Sequence, residues 1–219
     1  MRPAAARNSM IHEILPVGPL QCNCSILGDE TLGEAMVVDP GDDIAGILAI
    51  LQRHHLTVRQ IVVTHAHIDH VGGARKLREA TGAPILLNEN DYALMKMLDV
   101  QAAWIGVEDP GKIEIDQGIV EQQKIQAGSL VATAMHTPGH TEGSICLFFP
   151  GEKKLIAGDT LFAGSIGRTD LPGGNFDKIL RSLHDKVLAL PDETTVVPGH
   201  GPLTTIGRER ESNPFLKSR

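Results

Sequence analysis

The sequence predicts a mixed α/β (α+β) fold. Three observations predict it: short apolar strands alternate with amphipathic helices, 42% of the 219 residues are hydrophobic, and 21% are charged. These proportions exclude a disordered chain, a collagen and a coiled coil. The chain also lacks a run of about 18 apolar residues, so the sequence predicts no transmembrane helix.

The first half of the chain alternates between predicted strands and helices. Runs rich in Ile, Leu and Val predict strands at 10–17, 22–29, 34–40, 60–65 and 83–87. Apolar residues at helical spacing predict helices at 42–56, 72–82 and 88–98. Either Asp42 or Asp43 is suited to cap the first of these helices, and Gly82 to end the second.

The second half repeats this organisation. Strands are predicted near 113–116, 119–125, 129–135, 144–149, 154–158 and 194–197. Helices are predicted at 176–190 and about 205–212. Each half is therefore a group of strands flanked by helices. Two such halves packed sheet to sheet would form a four-layer αββα sandwich, which layer packing permits without requiring.

Residues 10–219 are predicted to form a single domain, preceded by a flexible extension over residues 1–9. That extension contains two arginines but no apolar segment of the kind found in export signals. The three cysteines, without an export signal, predict a reduced cytoplasmic protein. The net charge of −7 argues against nucleic acid and anionic membranes as partners. The oligomeric state stays open.

Three histidines and an aspartate fall within six residues, directly after the buried strand that ends in Ile-Val-Val. The spacing of His65 and His67 places both imidazoles on one side of an extended segment, where they can reach one ion. Asp69 and His70 follow after the chain must turn, so they can face a second ion. Imidazole nitrogens and carboxylate oxygens are the ligands that zinc and similar metals use.

Three further predicted strands end beside glycine and a ligand-type residue: His140 in TPGHT, Asp159 in GDT and His200 in PGHG. Glycine lets the backbone approach an ion closely. Each motif alone is more often just a turn. Together with the first motif, four strand ends supply five histidines and two aspartates, which is enough for two adjacent metal ions.

The order THAHIDH, TPGHTEGS, GDTLF and PGHG resembles the metallo-β-lactamase fold superfamily of metallohydrolases, over about residues 10–202. Within it, GDTLFAGSIGRTD (158–170) and the CNCS strand start resemble the glyoxalase II (hydroxyacylglutathione hydrolase) group, particularly its short single-domain members. This resemblance implies the αββα sandwich, with the metals at one edge between the two sheets.

The resemblance also implies the ligand set. The first ion would be held by His65, His67 and His140, and the second by Asp69, His70 and His200. Asp159 and a hydroxide would bridge the two ions, which makes Asp69 and Asp159 the candidate catalytic residues. Two divalent ions are expected. Zinc is the first expectation, and manganese and iron are alternatives because they accept the same ligands.

Such a centre favours hydrolysis, because two adjacent metals lower the pKa of a bridging water and polarise a carbonyl. A thioester suits it, since a thiolate leaves without a strong general acid. The resemblance therefore implies hydrolysis of S-lactoylglutathione or a similar hydroxyacyl-glutathione. Two features depart from that group: only residues 201–219 follow His200, where two-domain members carry a glutathione-binding helical extension, and TEGS replaces TPGS.

Other functions remain open at this point. The GRTD segment (167–170) also resembles an iron-dependent persulfide dioxygenase acting on glutathione persulfide, in which His65, His140 and Asp159 would hold one iron. Weak β-lactam hydrolysis is a further possibility. A non-catalytic, metal-stabilised binding module is disfavoured by the intact ligand set.

Several remaining polar residues have two interpretations. Arg168 either pairs locally with Asp170 or binds a substrate carboxylate, since its planar guanidinium group can donate two parallel hydrogen bonds to a carboxylate. Thr64 and Thr141 either orient the ligands or are simple strand-end hydroxyls. Structural roles are expected for Cys22, Cys24, His12, His54, His55 and His184.

Overall fold

Two sheets pack face to face in the computed structural model, which describes residues 10–217. The predicted extension over residues 1–9 lies outside the described residues. The first sheet has the strand order β1 (Met10–Val17), β2 (Cys22–Asp29), β3 (Glu34–Val38), β4 (Thr57–Val62), β5 (Ile85–Leu87) and β6 (Gln117–Gly118). Its first three strands are antiparallel, and β3 to β6 run parallel.

The second sheet has the order β14 (Thr204–Thr205), β13 (Thr195–Pro198), β10 (Lys154–Gly158), β9 (Ile145–Phe149), β8 (Leu130–His136) and β7 (Lys124–Ala127). A small hairpin, β11 (Leu161–Phe162) with β12 (Ser165–Ile166), follows β10. Because β9 is antiparallel to both of its neighbours and β10 is parallel to β13, the strands β8, β10 and β13 share one direction. Their carboxyl ends therefore meet at one edge.

Helices cover the outer face of each sheet. The first half supplies α1 (Ile44–Arg53), α2 (Ile68–Val71), α3 (Ala74–Thr81), α4 (Tyr92–Met95) and α5 (Leu98–Ile105). The second half supplies α6 (Phe176–Ser182), which continues as a π turn over Leu183–Val187, and α7 (Ile206–Ser212). Among residues 10–217, no helix combines the length and apolar character needed to cross a bilayer.

The strand residues divide by alternation into three buried layers. In β3, Val37 packs under the helices of the first half, whereas Met36 and Val38 lie between the two sheets. In β10, Ile156 faces the same inter-sheet core, whereas Leu155 packs under the helices of the second half. Helix, sheet, sheet and helix are thus stacked in that order, which confirms the four-layer αββα fold.

Several predicted boundaries were wrong. The strand predicted at 60–65 ends at Val62, so His65 lies in a loop. The helix predicted at 88–98 is a 3-10 turn followed by α4, because i to i+3 backbone bonds at Lys96 and Met97 end the helix before α5 begins. The helix α5 itself was not predicted.

The strands predicted at 113–116 and 119–125 were also wrong. Ile113 is buried against the first-half helices, but the ladder with β5 begins only at Gln117. Residues 120–123 form a turn in which Gln122 has a left-handed φ of 63°, so the strand β7 starts at Lys124. The predicted helix at 176–190 is interrupted by the π turn.

A polar contact joins the two sheets at the edge strand β1. The Nδ1 atom of His12 lies 2.7 Å from Nζ of Lys154 in β10, and its Nε2 lies 3.1 Å from Oγ of Ser25. The lysine ammonium can only donate, so Nδ1 accepts and the Nε2–H donates to Ser25. Burial lowers the pKa of His12 to about 3, and the charge of Lys154 adds to this effect.

We therefore expect His12 to make the fold sensitive to acid. Its folded pKa lies below the unfolded value of about 6.5, so its contribution is present above pH 6.5 and is lost as the pH falls toward 3. The free energy of unfolding of wild type should fall more steeply between pH 7 and pH 4 than that of a His12→Gln variant, as measured by urea denaturation. Parallel curves for the two proteins would contradict this assignment.

Candidate metal centre

The seven predicted ligands meet at the edge where the carboxyl ends of the strands converge. His65 and His67 lie in the loop after β4, and Asp69 and His70 lie in the short helix α2. The other three each follow a strand of the second sheet: His140 after β8, Asp159 after β10 and His200 after β13. The site therefore contains residues from both sheets.

Three imidazoles form the first half of the site. The Nε2 atom of His140 lies 2.9 Å from Nδ1 of His67 and 3.2 Å from Nε2 of His65. Burial lowers the pKa of all three histidines, that of His67 to about 3. Neighbouring histidines lower the pKa of His65 and His67 further, whereas Asp159 partly offsets the effect of burial on His140. All three rings are thus neutral at pH 7, and each has a nitrogen lone pair available for a metal ion.

The second half of the site contains a carboxylate and two imidazoles. The Nε2 atom of His200 lies 3.1 Å from Oδ2 of Asp69 and 3.3 Å from Nε2 of His70. Burial opposes ionisation of Asp69, but His70 and His200 beside it lower its pKa. Burial likewise opposes protonation of His70, yet Cys22 and the carboxylates of Asp159 and Asp69 raise its pKa. Surroundings that favour a proton in this way would also stabilise a divalent cation.

Asp159 lies between the two halves. Its Oδ1 is 3.4 Å from Nε2 of His70, and its Oδ2 is 3.6 Å from Nε2 of His140 and 3.8 Å from Nε2 of His200. The Oδ1 atom is buried and has no hydrogen-bond partner among the described residues. A Cβ on Gly199 would lie only 2.1 Å from this oxygen, so glycine is required there.

The residues present fit a divalent-metal centre. Ligand atoms bonded to one ion at about 2.0–2.2 Å lie about 3.0–3.5 Å from one another. His140 lies 2.9 and 3.2 Å from the other two imidazoles of the first half, the donor atoms of the second half are 3.1–3.6 Å apart, and all three donors of the first half lie within 4.8 Å of one another. Neutral imidazoles and ionised carboxylates are also the donors that zinc, manganese and iron accept.

Hydrogen bonds on the far side of three imidazoles fix their orientation. The Nδ1 atom of His70 lies 2.9 Å from Oδ2 of Asp39, while His140 and His200 donate from Nδ1 to the carbonyls of Arg168 and Leu20, at 2.8 and 3.0 Å. With Nδ1 protonated, each Nε2 lone pair points into the site.

Asp39, which directly follows the strand β3, was not among the candidate residues predicted from the sequence. Besides contacting His70, its carboxylate accepts hydrogen bonds from the backbone N–H and the hydroxyl of Thr64, both at 2.7 Å. The Thr64 hydroxyl lies 3.0 Å from Nδ1 of His65. Thr64 therefore contacts the candidate metal ligand His65, which agrees with the interpretation that its hydroxyl orients a ligand. The one available signal for Asp39 was an aspartate at a strand end before proline.

A second missed residue is Asp91, which is buried in the turn before α4. Its carboxylate accepts hydrogen bonds from the backbone of Ala66 at 2.9 Å, from the hydroxyl of Thr141 at 2.8 Å and from the backbone of Gly143 at 2.6 Å. It thereby ties the loop of His65 and His67 to the loop of His140. Nothing in the local sequence identified it.

The remaining candidates lie around this centre. Arg168 donates to both carboxylate oxygens of Asp170 at 2.8 and 2.7 Å, while its side chain stays 60% exposed. Cys22 and Cys24 are buried in the first-half core. The Sγ atom of Cys22 lies 3.5 Å from Nδ1 of His70, and burial raises the pKa of this thiol to about 12.

A cavity of about 550 Å³ opens onto the centre. Five of the seven candidate ligands line it: His67, Asp69, His140, Asp159 and His200. Arg168 lies at the same cavity, so the structure brings every predicted site residue to one place. A substrate that enters here would reach both halves of the centre at once.

A family model described as the metallo-beta-lactamase superfamily matches residues 17–200. The chain belongs to the metallo-beta-lactamase superfamily. Hydroxyacylglutathione hydrolase GloC of Haemophilus influenzae is 36% identical over 214 residues, covering 94% of this chain and 98% of the relative. An uncharacterized protein of Aquifex aeolicus is 43% identical over 209 residues, covering 94% and 97%. The resemblance to this superfamily and to its short members is confirmed.

Solved structures of the metallo-beta-lactamase superfamily have the same fold. BLEG-1 B3 metallo-beta-lactamase superposes with a TM-score of 0.88 and 36% identity, covering 95% of this chain and all of that one. TTHA1623 in a di-iron-bound form gives 0.85 and 37%, covering 93% and 100%. ETHE1 from Myxococcus xanthus gives 0.79 and 28%, covering 94% and 84%.

We expect Asp39 to set the metal affinity through His70. Asparagine has the same shape but lacks the charge, so Asp39→Asn should weaken zinc binding at the half of the site that contains His70 by about 10- to 100-fold. Competition with a chromophoric chelator measures this affinity. Asp42→Asn, which removes an exposed carboxylate three residues away, serves as the control. Equal affinities in the two variants would show that Asp39 has no such role.

Proposed function

We propose that this protein is a two-metal thioester hydrolase whose substrates are S-D-lactoylglutathione or similar hydroxyacyl-glutathiones. The position of Asp159 carries the proposal: one carboxylate, only 12% exposed, faces a three-histidine cluster on one side and an Asp-His-His cluster on the other. The likeness to hydroxyacylglutathione hydrolase GloC supports the same substrate class. A small-molecule substrate, no nucleic-acid or membrane partner and a cytoplasmic location belong to this proposal.

His65, His67 and His140 would hold one ion, and Asp69, His70 and His200 the other, with Asp159 shared between them. When bound, two divalent ions would lower the pKa of a water molecule and polarise the thioester carbonyl. Zinc is the metal we propose first. The di-iron form of TTHA1623 supports iron as an alternative at the same residues.

The chain's own groups orient the reactants. Asp69 lines the cavity and its lowered pKa keeps it ionised at neutral pH, so its carboxylate can accept a hydrogen bond from the attacking water. His67 and His140 line the same cavity on the other side of Asp159, so the carbonyl would lie between them and Asp69. The leaving thiolate needs no strong acid, because an ordinary thiol has a pKa of only about 8.5.

We propose that the cavity walls hold glutathione. The described residues after His200 include β14 and α7, and Ile206 and Leu216 pack into the core under the second sheet. The residues that line the cavity end with His200. Arg168 is the cationic side chain at this cavity, and its guanidinium is a candidate contact for a glutathione carboxylate.

Two other reactions have support. An iron-dependent persulfide dioxygenase would use His65, His140 and Asp159. The Nε2 atom of His140 lies 3.2 Å from Nε2 of His65 and 3.6 Å from Oδ2 of Asp159. The likeness to ETHE1 favours this arrangement. The likeness to BLEG-1 favours β-lactam hydrolysis. A β-lactam nitrogen needs a proton as it leaves, whereas a thiolate does not.

The test is loss of the thioester from S-D-lactoylglutathione by the zinc-loaded protein. We expect enzyme-like turnover by wild type and by His184→Ala, which removes an exposed histidine. His67→Ala removes a candidate ligand and should lower kcat/KM by at least about 100-fold.

If wild type and His67→Ala hydrolyse the thioester equally slowly, the proposed function is wrong. Oxygen uptake with glutathione persulfide by the iron-loaded protein and hydrolysis of a chromogenic cephalosporin by the zinc-loaded protein then identify which alternative applies.

A further inference from the structure

The wall of the cavity that is formed by the helices α4 and α5 is apolar. Leu94, Met97, Trp104 and Ile105 line it, next to the candidate ligands His67 and Asp69. Trp104 is 63% exposed to solvent. A large exposed apolar surface beside a catalytic centre marks a place where a ligand covers it.

Contacts of Gln101 hold this wall in a fixed position relative to the centre. Gln101 lies in α5, and its side chain accepts a hydrogen bond from the backbone of Ile68 at 2.9 Å and donates to the carbonyl of Ala66 at 3.3 Å. Leu98 and Ala102 of the same helix are buried in the first-half core. The face that carries Trp104 and Ile105 is therefore tied to the loop of the candidate ligands.

A second part of the cavity lining carries a charge. Arg168 lies there with Leu171 and Pro172, and it supplies the only positive charge among the described cavity-lining residues other than histidine. Its ion pair with Asp170 is exposed to solvent. The carboxylates of a glutathione carrier would go to this part of the lining, which leaves the wall of α4 and α5 for the acyl group.

We propose that the α4–α5 wall selects the acyl group, so that thioesters with an apolar alkyl or aryl acyl chain are better substrates than the small, hydroxylated lactoyl thioester. This inference rests on the proposed thioesterase function and extends its substrates from hydroxyacyl- to apolar acyl-glutathiones. Trp104 supplies a large flat surface, and the unbranched Met97 adapts to chains of different shape.

A series of acyl-glutathiones tests the inference by turnover. For the zinc-loaded protein we expect kcat/KM to rise from S-acetyl- through S-butyryl- to S-hexanoylglutathione, by up to about fourfold for each methylene that reaches the wall. Trp104→Gln should flatten this rise. Val100→Gln, which replaces an exposed apolar residue of α5 that does not line the cavity, should preserve it.

Binding without turnover gives an independent measurement. Trp104 is the single tryptophan of the chain, so its fluorescence reports directly on this wall. S-methyl-, S-butyl- and S-hexylglutathione are thioethers that cannot be hydrolysed, and their sulfur substituent would occupy the acyl position. We expect their dissociation constants to fall in that order, by up to about fourfold per methylene.

The outcomes separate the two proposals. If S-D-lactoylglutathione is hydrolysed but kcat/KM is flat or falls along the acyl series, the inference about the wall is overturned and the proposed function stands. If no thioester is hydrolysed, the proposed function is overturned. The thioether titration then tests the inference about the wall by itself. Tighter binding with increasing chain length supports an apolar ligand at the wall, and equal binding of all three thioethers overturns the inference.

Discussion

The arrangement of the candidate metal ligands at the edge of the two sheets depends on the buried carboxylate of Asp91. This side chain belongs to the first sheet's half of the molecule, yet it accepts hydrogen bonds from Ala66 after β4 and from Thr141 and Gly143 after β8. A buried N–H left without an acceptor costs about 1–3 kcal/mol. Asp91 thus fixes the distance between the loops that place His65, His67 and His140 in contact, and the rest of the centre is built around them.

Most of the contact between the two sheets is made by apolar side chains, which set the spacing of the sheets but do not fix their register at one edge. Polar contacts do so near the centre. The backbone N–H of Ile145 donates to the carbonyl of Thr64 at 3.0 Å. Asn23 donates from its backbone to Gly199 at 2.7 Å and from its side chain to Pro198 and Gly201. Buried hydrogen bonds of this kind hold the ligands in place before a metal or substrate binds.

Local patterns were sufficient to predict the α/β class and the cluster of candidate ligands, whereas the four-layer stacking and the division of the ligands between two ions came from the family resemblance. Alternation in a strand assigns each residue to a face, and a histidine after an apolar strand lies at the sheet edge. Asp39 and Asp91 were missed because their partners lie 25 to 52 residues away in the chain. The strand predicted at 113–116 failed for the same reason: Ile113 is buried as its pattern indicates, but hydrogen-bond pairing depends on which strand lies alongside.

The same distinction applies to chemistry and specificity. Short motifs determine the candidate ligands, whereas the cavity wall comes from α5, a helix without strong local signals that is positioned by Leu98 and Gln101. Arg168 was identified from a short motif and also lines the cavity. Its pair with Asp170 is only two residues apart and exposed, and such pairs contribute little to stability. The guanidinium can therefore leave Asp170 at low cost, so the local ion pair is compatible with the substrate contact that we propose for this side chain.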